Sequence, residues 1–266
     1  INNTATNAAT RFVRLTGNST VGGNLNITNA GGSDFRLNNF NLNLAGNLTN
    51  NGTFTTSGGA GSVLTLNGTL QQVISGTGTF TDGVAGRLIY LTINNTSGAS
   101  PAVDLQCPLI MGTNLSTLTL TSGSLNTSGA GALTLGIGAA SALTINRTNG
   151  SLLLTPTWNL GSVTCNINYN AAAGAITTGN EIPLTANGNI ATLTINNATG
   201  VLLNSADITV ATSLTLTNGI FNIQDKLLNI TGTIARTNGT LSTGTSGSIN
   251  FGTNAGGLAI PLSTFT

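Results

Sequence analysis

The sequence predicts an all-β fold, and within that class a parallel β-solenoid. Three observations support this prediction: apolar residues alternate with Thr or Asn, short units recur in a fixed order, and only 5% of the 266 residues are charged. Alternation with a period of two is typical of strands that bury one face. We therefore expect one continuous solenoid over residues 1–266, as a fragment of a longer repetitive protein.

The alternation is clearest where a single Thr or Asn separates two aliphatic residues. These segments are Leu25–Ile27, Leu42–Leu44, Leu64–Leu66, Leu91–Ile93, Leu118–Leu120, Leu133–Leu135, Leu143–Ile145, Leu193–Ile195 and Leu214–Leu216. We expect their aliphatic side chains to point into a core and the polar residue between them to face solvent. No window has the apolar spacing of a helix, and Thr, Asn and Gly all disfavour one.

Internal repeats indicate how the strands are arranged. Leu91–Gly98 matches Leu193–Gly200, Leu118–Asn126 matches Leu214–Asn222, and Arg147–Leu152 matches Arg236–Leu241, in that order. A unit of strand and turn cannot bury its own apolar face, so it must stack on its neighbours. At roughly 20 residues per coil, we expect on the order of a dozen coils.

The shortage of charge fits the same geometry. In a parallel solenoid, equivalent residues of successive coils lie about 4.8 Å apart, so like charges repel whereas ladders of Asn, Thr and Leu are tolerated. Gly after Asn suits corners that need a positive φ. Such steps occur at Asn51-Gly52, Asn67-Gly68, Asn149-Gly150, Asn218-Gly219 and Asn238-Gly239. In the alternative fold, an antiparallel β-sandwich array, these steps would be hairpin tips.

Composition disfavours catalysis, metal binding and nucleic-acid binding. The net charge is +1 and histidine is absent, so no basic surface gathers phosphates. Glu181 is the sole glutamate and the Asp residues are scattered, which leaves little for acid–base chemistry or metal ligation. We predict a non-enzymatic chain with no catalytic residues, no metal, no cofactor and no nucleic-acid partner. Polar residues also interrupt each apolar run before about 18 residues, so we predict no membrane span.

Three acids are the only candidates for a hydrolytic site. Stacking of coils could bring Asp104 near Asp207 or Glu181, as a polysaccharide-cleaving β-helix requires. Asp104 and Asp207 precede similar strands, which favours turn capping instead. A groove that combined such acids with Trp158 would favour a carbohydrate-active or carbohydrate-binding protein.

Two other residue pairs have structural interpretations. Cys107 and Cys165 match no metal or redox spacing, and we favour buried, unpaired thiols over a single disulfide. Arg147 and Arg236 both precede Thr-Asn-Gly. Their recurrence predicts an outward corner where the aliphatic stem covers the neighbouring coil and the charge is free for a partner.

The matched segments Leu91–Gly98 and Leu118–Asn126, with their counterparts Leu193–Gly200 and Leu214–Asn222, resemble repeat regions of very large surface proteins of Bacteroidota. The resemblance covers about Leu88–Leu152 and Ile190–Leu241. It implies export by type IX secretion, attachment at the cell surface and, in some members, adhesion or gliding motility. The chain lacks a recognisable sorting domain of that family, which favours a fragment.

The function we expect is an extracellular structural or adhesive rod at the cell surface. Its partners would be neighbouring repeats or identical chains end to end, and a surface or glycan ligand that the sequence does not identify. The alternative is a self-assembling filament subunit, since an open solenoid has unpaired strand edges. A carbohydrate-binding or carbohydrate-active β-helix is less expected. An ice-binding solenoid, which the regular Thr-x-Thr triplets suggest, is also less expected.

Overall fold

The structure is a computed structural model, which describes residues 12–29, 32–56, 62–82, 88–111, 116–129, 131–138, 142–161, 164–170, 172–184 and 188–252. Within these ranges the chain forms strands and turns and contains no helix. The prediction of an all-β protein is confirmed.

The strands are short and follow one another closely. In the first half they are β1 (Phe12–Arg14), β2 (Ser19–Val21), β3 (Leu25–Ile27), β4 (Asp34–Arg36), β5 (Leu42–Leu44), β6 (Leu48–Asn50), β7 (Thr53–Thr55), β8 (Val63–Leu66), β9 (Gln72–Ser75), β10 (Thr79–Thr81), β11 (Tyr90–Asn94), β12 (Val103–Leu105), β13 (Leu109–Met111), β14 (Ser116–Ser122) and β15 (Ser124–Asn126). In the second half they are β16 (Leu133–Leu135), β17 (Ala142–Arg147), β18 (Ser151–Leu152), β19 (Thr157–Trp158), β20 (Thr164–Tyr169), β21 (Ile176–Thr177), β22 (Ile190–Asn196), β23 (Val201–Leu202), β24 (Ile208–Asn218), β25 (Ile220–Asn222), β26 (Leu227–Ile230), β27 (Thr233–Arg236), β28 (Thr240–Ser242) and β29 (Ser248–Phe251).

One long sheet runs the length of the stack. It has 12 strands in the order β2-β5-β8-β11-β14-β17-β20-β22-β24-β26-β29, with β27 also pairing with β24. Four smaller sheets close the coils: β1-β4-β7-β10, β3-β6-β9-β12-β15-β18, β13-β16-β19 and β21-β23-β25-β28. We call these the first, second, third and fourth side sheets.

Every strand pair in the described part of the chain is parallel, which confirms the β-solenoid. The Asn-Gly steps are therefore not the hairpin tips of an antiparallel sandwich. The stack has about nine turns of about 23 residues each, fewer and longer than the dozen coils of about 20 residues that we expected. The extra residues lie in the corners and short side strands, which the long sheet's repeats do not reveal.

The core is a single ladder of aliphatic side chains. One file in the long sheet runs through Leu42, Leu64, Leu91, Leu118, Ile145, Ile167, Leu193, Leu214 and Ile234, each paired with the next. Leu118, Leu120, Leu214 and Leu216 are fully buried, whereas Thr119 and Thr215 between them are half-buried on the outer side. The predicted inward and outward register of these strands is confirmed.

Asparagine side chains connect successive coils at the corners. Asn18 Oδ1 accepts the backbone N–H of Asn41 at 2.9 Å, and Asn24 Oδ1 accepts that of Asn47 at 2.8 Å. At another corner, Asn51 Oδ1 accepts the backbone N–H of Thr77 in the same way. Corner amides cannot join the strand ladders, and an unpaired backbone N–H is costly to bury. The abundance of Asn is thus explained by this repeated task.

Glycine has two separate uses at the corners. Gly219 has a φ of +79°, as the sequence led us to expect of Gly after Asn. Gly52, Gly68, Gly150 and Gly239 do not adopt a positive φ. At Gly52 the reason is contact, because a Cβ there would lie 2.4 Å from the backbone oxygen of Ser33 in the preceding coil.

The core register can be tested by placing a charge on either side of β14. Leu118 lies between Leu91 and Ile145, which are both fully buried, so Leu118→Asp should lower the free energy of unfolding by about 3 kcal/mol or more. Thr119→Asp, on the outer side, should cost less than about 1 kcal/mol. Urea denaturation measures both, and equal losses would mean that the register is wrong by one residue.

The corner geometry can be tested with two Gly→Ala variants. A Cβ on Gly219 would lie 1.8 Å from the backbone oxygen of Asn197, and the residue has a positive φ, so Gly219→Ala should cost about 2 kcal/mol or more. Gly174 is exposed and has open space around its Cα, so Gly174→Ala is the matched control and should stay within about 0.5 kcal/mol. Similar midpoints of thermal unfolding for the two variants would contradict this account.

Candidate functional site

The outer side of the long sheet carries two adjacent files of uncharged side chains, which we call the polar face. One file is Thr20, Asn43, Thr65, Thr92, Thr119, Asn146, Asn168, Thr194, Thr215 and Ala235. The other is Val63, Tyr90, Thr117, Thr144, Asn166, Thr192, Ser213 and Thr233. Neither file contains a charged residue, so the face presents hydroxyl and amide groups at the strand spacing of about 4.8 Å.

Neighbouring side chains of the polar face bond to each other. Asn168 donates its Nδ2 to Asn146 Oδ1 at 2.9 Å, and the hydroxyl of Thr192 donates to Asn166 Oδ1 at 2.8 Å. These bonds fix the rotamers of side chains that would otherwise be free to turn. The face mixes Thr with Asn, so the Thr-x-Thr triplets do not form the uniform array that the ice-binding hypothesis envisaged, and that hypothesis stays a prediction.

Asp104 is bonded to the next coil. Its two carboxylate oxygens accept the backbone N–H of Ser128 at 2.7 Å and the hydroxyl of Ser128 at 2.5 Å, and Gln106 donates a further bond at 2.7 Å. Burial raises the pKa of Asp104, but the bonds from Ser128 and Gln106 lower it by more, so its pKa lies below the ordinary value. The carboxylate therefore caps a loop, as the capping interpretation predicted.

The stack does not bring Asp104 and Asp207 together. Asp207 precedes β24, and its Oδ1 accepts the backbone N–H of Leu227 at 2.8 Å. Four strands of the long sheet separate β11, in the coil of Asp104, from β24. Five steps of about 4.8 Å place the two strands about 24 Å apart along the stack, so the two carboxylates lie well beyond the separation of a glycosidase pair.

Glu181 forms a buried cluster with Arg147 and Tyr169. Its side chain has no exposed surface, and its Oε1 accepts bonds from the Arg147 guanidinium, the Tyr169 hydroxyl at 3.0 Å and the backbone N–H of Gly179 at 3.1 Å. Burial, and then the negative charge of Glu181, raise the pKa of Tyr169 well above its ordinary value. The phenol therefore stays protonated and donates to the carboxylate, and the chain offers no donor to Oε2 among its described residues.

The recurring arginines do not lie at an outward corner, so that prediction is wrong. Arg147 pairs with Leu120 of one coil and Tyr169 of the next, and Arg236 pairs with Leu216. Each arginine thus continues a file of inward core residues, and its aliphatic stem replaces a leucine. Its Nε bends to the corner, where Arg147 donates to Gly150 O and Arg236 to Gly239 O, both at 2.8 Å.

Cys107 and Cys165 are buried and unpaired, as we favoured from the sequence. Burial raises the pKa of Cys107 from 9.0 to about 11 and that of Cys165 to about 12. A thiol with such a pKa is not ionised near neutral pH, so neither residue has the character of a reactive or metal-binding cysteine.

A groove of about 320 Å³ lies beside Trp158, the only tryptophan of the chain. We call it the Trp158 groove. Pro156, Ile182 and Leu184 add to its apolar surface, and Asn180, Asn204 and Ser205 line its polar side. No charged side chain lines the groove. The repeat pattern did not predict the Trp158 groove. Trp158 and Glu181 both lie between the two stretches where the repeats match, and this position could have indicated an irregular coil.

Within the described ranges, no three His, Cys, Asp or Glu side chains lie close enough together to hold a metal ion. The same ranges contain no helix long and apolar enough to cross a lipid bilayer.

Comparison with known proteins gives no relative. No family model matches the chain, and no curated protein and no solved structure is significantly similar to it. The resemblance to repeat regions of Bacteroidota surface proteins therefore stays a prediction.

The burial of the thiols can be tested by their reactivity. At about pH 8.5 an ordinary thiol is substantially ionised, but in the folded chain neither Cys107 nor Cys165 should react with Ellman's reagent, because burial disfavours the thiolate. In denaturant both should react, giving two thiols per chain. No thiol in denaturant would indicate a disulfide, and fast reaction of the folded chain would contradict the burial.

The same pKa values fix the sign of the pH dependence. The folded chain holds both thiol protons to higher pH than the unfolded chain, so this contribution to stability is complete below about pH 9 and is lost as pH rises through about 11 and 12. Cys165→Ala should reduce the loss, which urea denaturation at alkaline pH measures.

Proposed function

We propose that this chain is a non-enzymatic, extracellular rod that acts in adhesion at a cell surface. The observation that carries the proposal is the polar face, an uncharged surface of hydroxyl and amide groups that extends from coil to coil. Such a face suits contact with an extended surface, because each coil adds the same weak contacts and the sum grows with length.

The use of the carboxylates supports a role without catalysis. Asp104 and Asp207 accept backbone bonds from the next coil, and Glu181 is held by Arg147 in the interior. The acids are thereby committed to holding coils together. A fully buried carboxylate also has no direct contact with a substrate in solvent.

The stacking itself supports the mechanical part of the proposal. One hydrophobic cluster extends from Leu25 to Leu241, and backbone ladders run parallel to the stack axis throughout the described ranges. A stack of this kind is stiff along its axis, since each coil contacts its neighbours through both the core and the ladders. The filament alternative concerns the two ends of the chain, which lie outside the described residues, and it stays a prediction.

Adhesion can be tested by charging the polar face. Beads coated with the purified chain should be retained under flow on glass, polysaccharide or protein surfaces, and the double variant Thr119→Glu with Thr194→Glu should lose most of that retention. The control is Thr77→Glu with Thr245→Glu, which adds the same charge at exposed residues outside the strands of the long sheet. Circular dichroism confirms folding of both variants.

Two results would overturn the proposal. Equal retention of both double variants would show that the polar face is not the adhesive surface. A reproducible hydrolytic or lyase activity on a polysaccharide, lost on changing Asp104, Glu181 or Asp207, would show that the chain is an enzyme.

A further inference from the structure

The side sheets are interrupted at two points in the described part of the chain, between β10 and β13 and again between β19 and β21, and the rarest residues of the chain gather at the second point. The second side sheet ends at β18 and the third at β19, whereas the fourth begins at β21. The sole Trp lies in β19, and the sole Glu follows β21. The Trp158 groove and the buried cluster of Arg147, Tyr169 and Glu181 also lie at this point.

A break of this kind is not needed to build a solenoid. Coils before and after it repeat with the ordinary pattern of Leu, Thr, Asn and Gly. This stretch departs from the regular pattern of the coils and contains a buried ion pair, which is costly to desolvate. Departures of this kind are expected at binding sites. We infer that the Trp158 groove binds a neutral carbohydrate, as one or two sugar rings of an oligosaccharide.

The lining of the groove fits this ligand class. The half-buried ring of Trp158, with Pro156 and the half-exposed Leu184, offers an apolar surface of the kind that packs against the C–H face of a sugar ring. Asn204 offers a side-chain amide, which both donates and accepts bonds and so matches sugar hydroxyls. Asn180 donates to Leu153 O and the Ser205 hydroxyl bonds to that of Thr178, which leaves the Asn180 carbonyl oxygen and the second lone pair of Ser205 as acceptors. The volume of about 320 Å³ is within the range of small-molecule sites.

One group of the lining is available to a ligand. The side-chain amide of Asn204 is exposed and makes no hydrogen bond with the described residues. Glu181 lies behind the groove against Gly179, but its carboxylate is fully buried, so it supplies no contact to the ligand.

Other ligand classes fit less well. A charged ligand finds no counter-charge, because no ionised side chain lines the groove. An extended peptide could add a strand at the break, but β18, β19 and β21 are each two residues long and offer little edge for it to pair with. The inference goes beyond the proposed function, because it assigns a ligand site that neither the rod nor the polar face requires.

The single tryptophan makes the test direct, since all indole fluorescence comes from the groove. Titration of the soluble chain with cellotetraose, chitotetraose, maltotetraose and mannotetraose should give a saturable change in emission with at least one of them. Asn204→Ala should weaken that binding by about tenfold, through the loss of one or two hydrogen bonds. Asn238→Ala, an exposed asparagine in a distant corner, is the matched control and should bind like the unaltered chain.

Trp158→Ala should abolish binding in isothermal calorimetry, with circular dichroism to confirm folding. Asn204 is exposed and remote from the core, so its variant tests the inference even if Trp158→Ala does not fold. The inference is overturned if no neutral tetrasaccharide binds at about 10 mM, if Asn204→Ala and Asn238→Ala bind alike, or if tetragalacturonate or an uncharged hexapeptide binds instead. Bead retention on glass or protein surfaces tests the polar face without a sugar ligand, so its outcome and that of this titration can be told apart.

Discussion

Each strand residue of this protein must be compatible with the residue at the equivalent position of the next coil, about 4.8 Å away along the stack. This constraint arises because parallel coils place equivalent positions directly above one another. Leucine and isoleucine meet it in the core by packing in files, and Thr and Asn meet it outside by hydrogen bonding. Charged residues do not meet it, which explains why only 5% of the chain is charged.

The same constraint decides how the charged residues are used. None of them forms a like-charge ladder in the described strands except where Arg14 pairs with Arg36, and there Asp34 bonds to Arg36. Asp104 and Asp207 each hold a backbone amide of the following coil. Arg147 and Arg236 take the places of core leucines at the ends of their strands, where their Nε atoms donate to the carbonyl groups of Gly150 and Gly239.

The two proposals draw on regularity in one place and on its loss in another. The polar face extends along the long sheet as two files made mostly of Thr and Asn, which is the feature on which the proposed adhesion rests. The Trp158 groove lies where the second and third side sheets end and the fourth begins. The buried cluster of Glu181, Arg147 and Tyr169 lies at the same point of the stack.

The sequence by itself determined the fold class and the register of the strands. Alternation between Leu and Thr fixes which side of β14 and β24 is buried, because the strand period of two leaves no other assignment. The burial of Cys107 and Cys165 also followed from their type and spacing. These are local properties, set by a residue and its nearest neighbours in the chain.

Only the tertiary structure decided the rest, because it depends on which coil lies above which. The number of turns was misjudged since corner residues add length that the repeats do not show. Arg147 was assigned to the outside, since its contacts with Leu120, Tyr169 and Glu181 come from residues 12 or more positions away. The groove likewise joins Trp158 to Asn204 and Ser205 of another coil, a contact that only stacking creates.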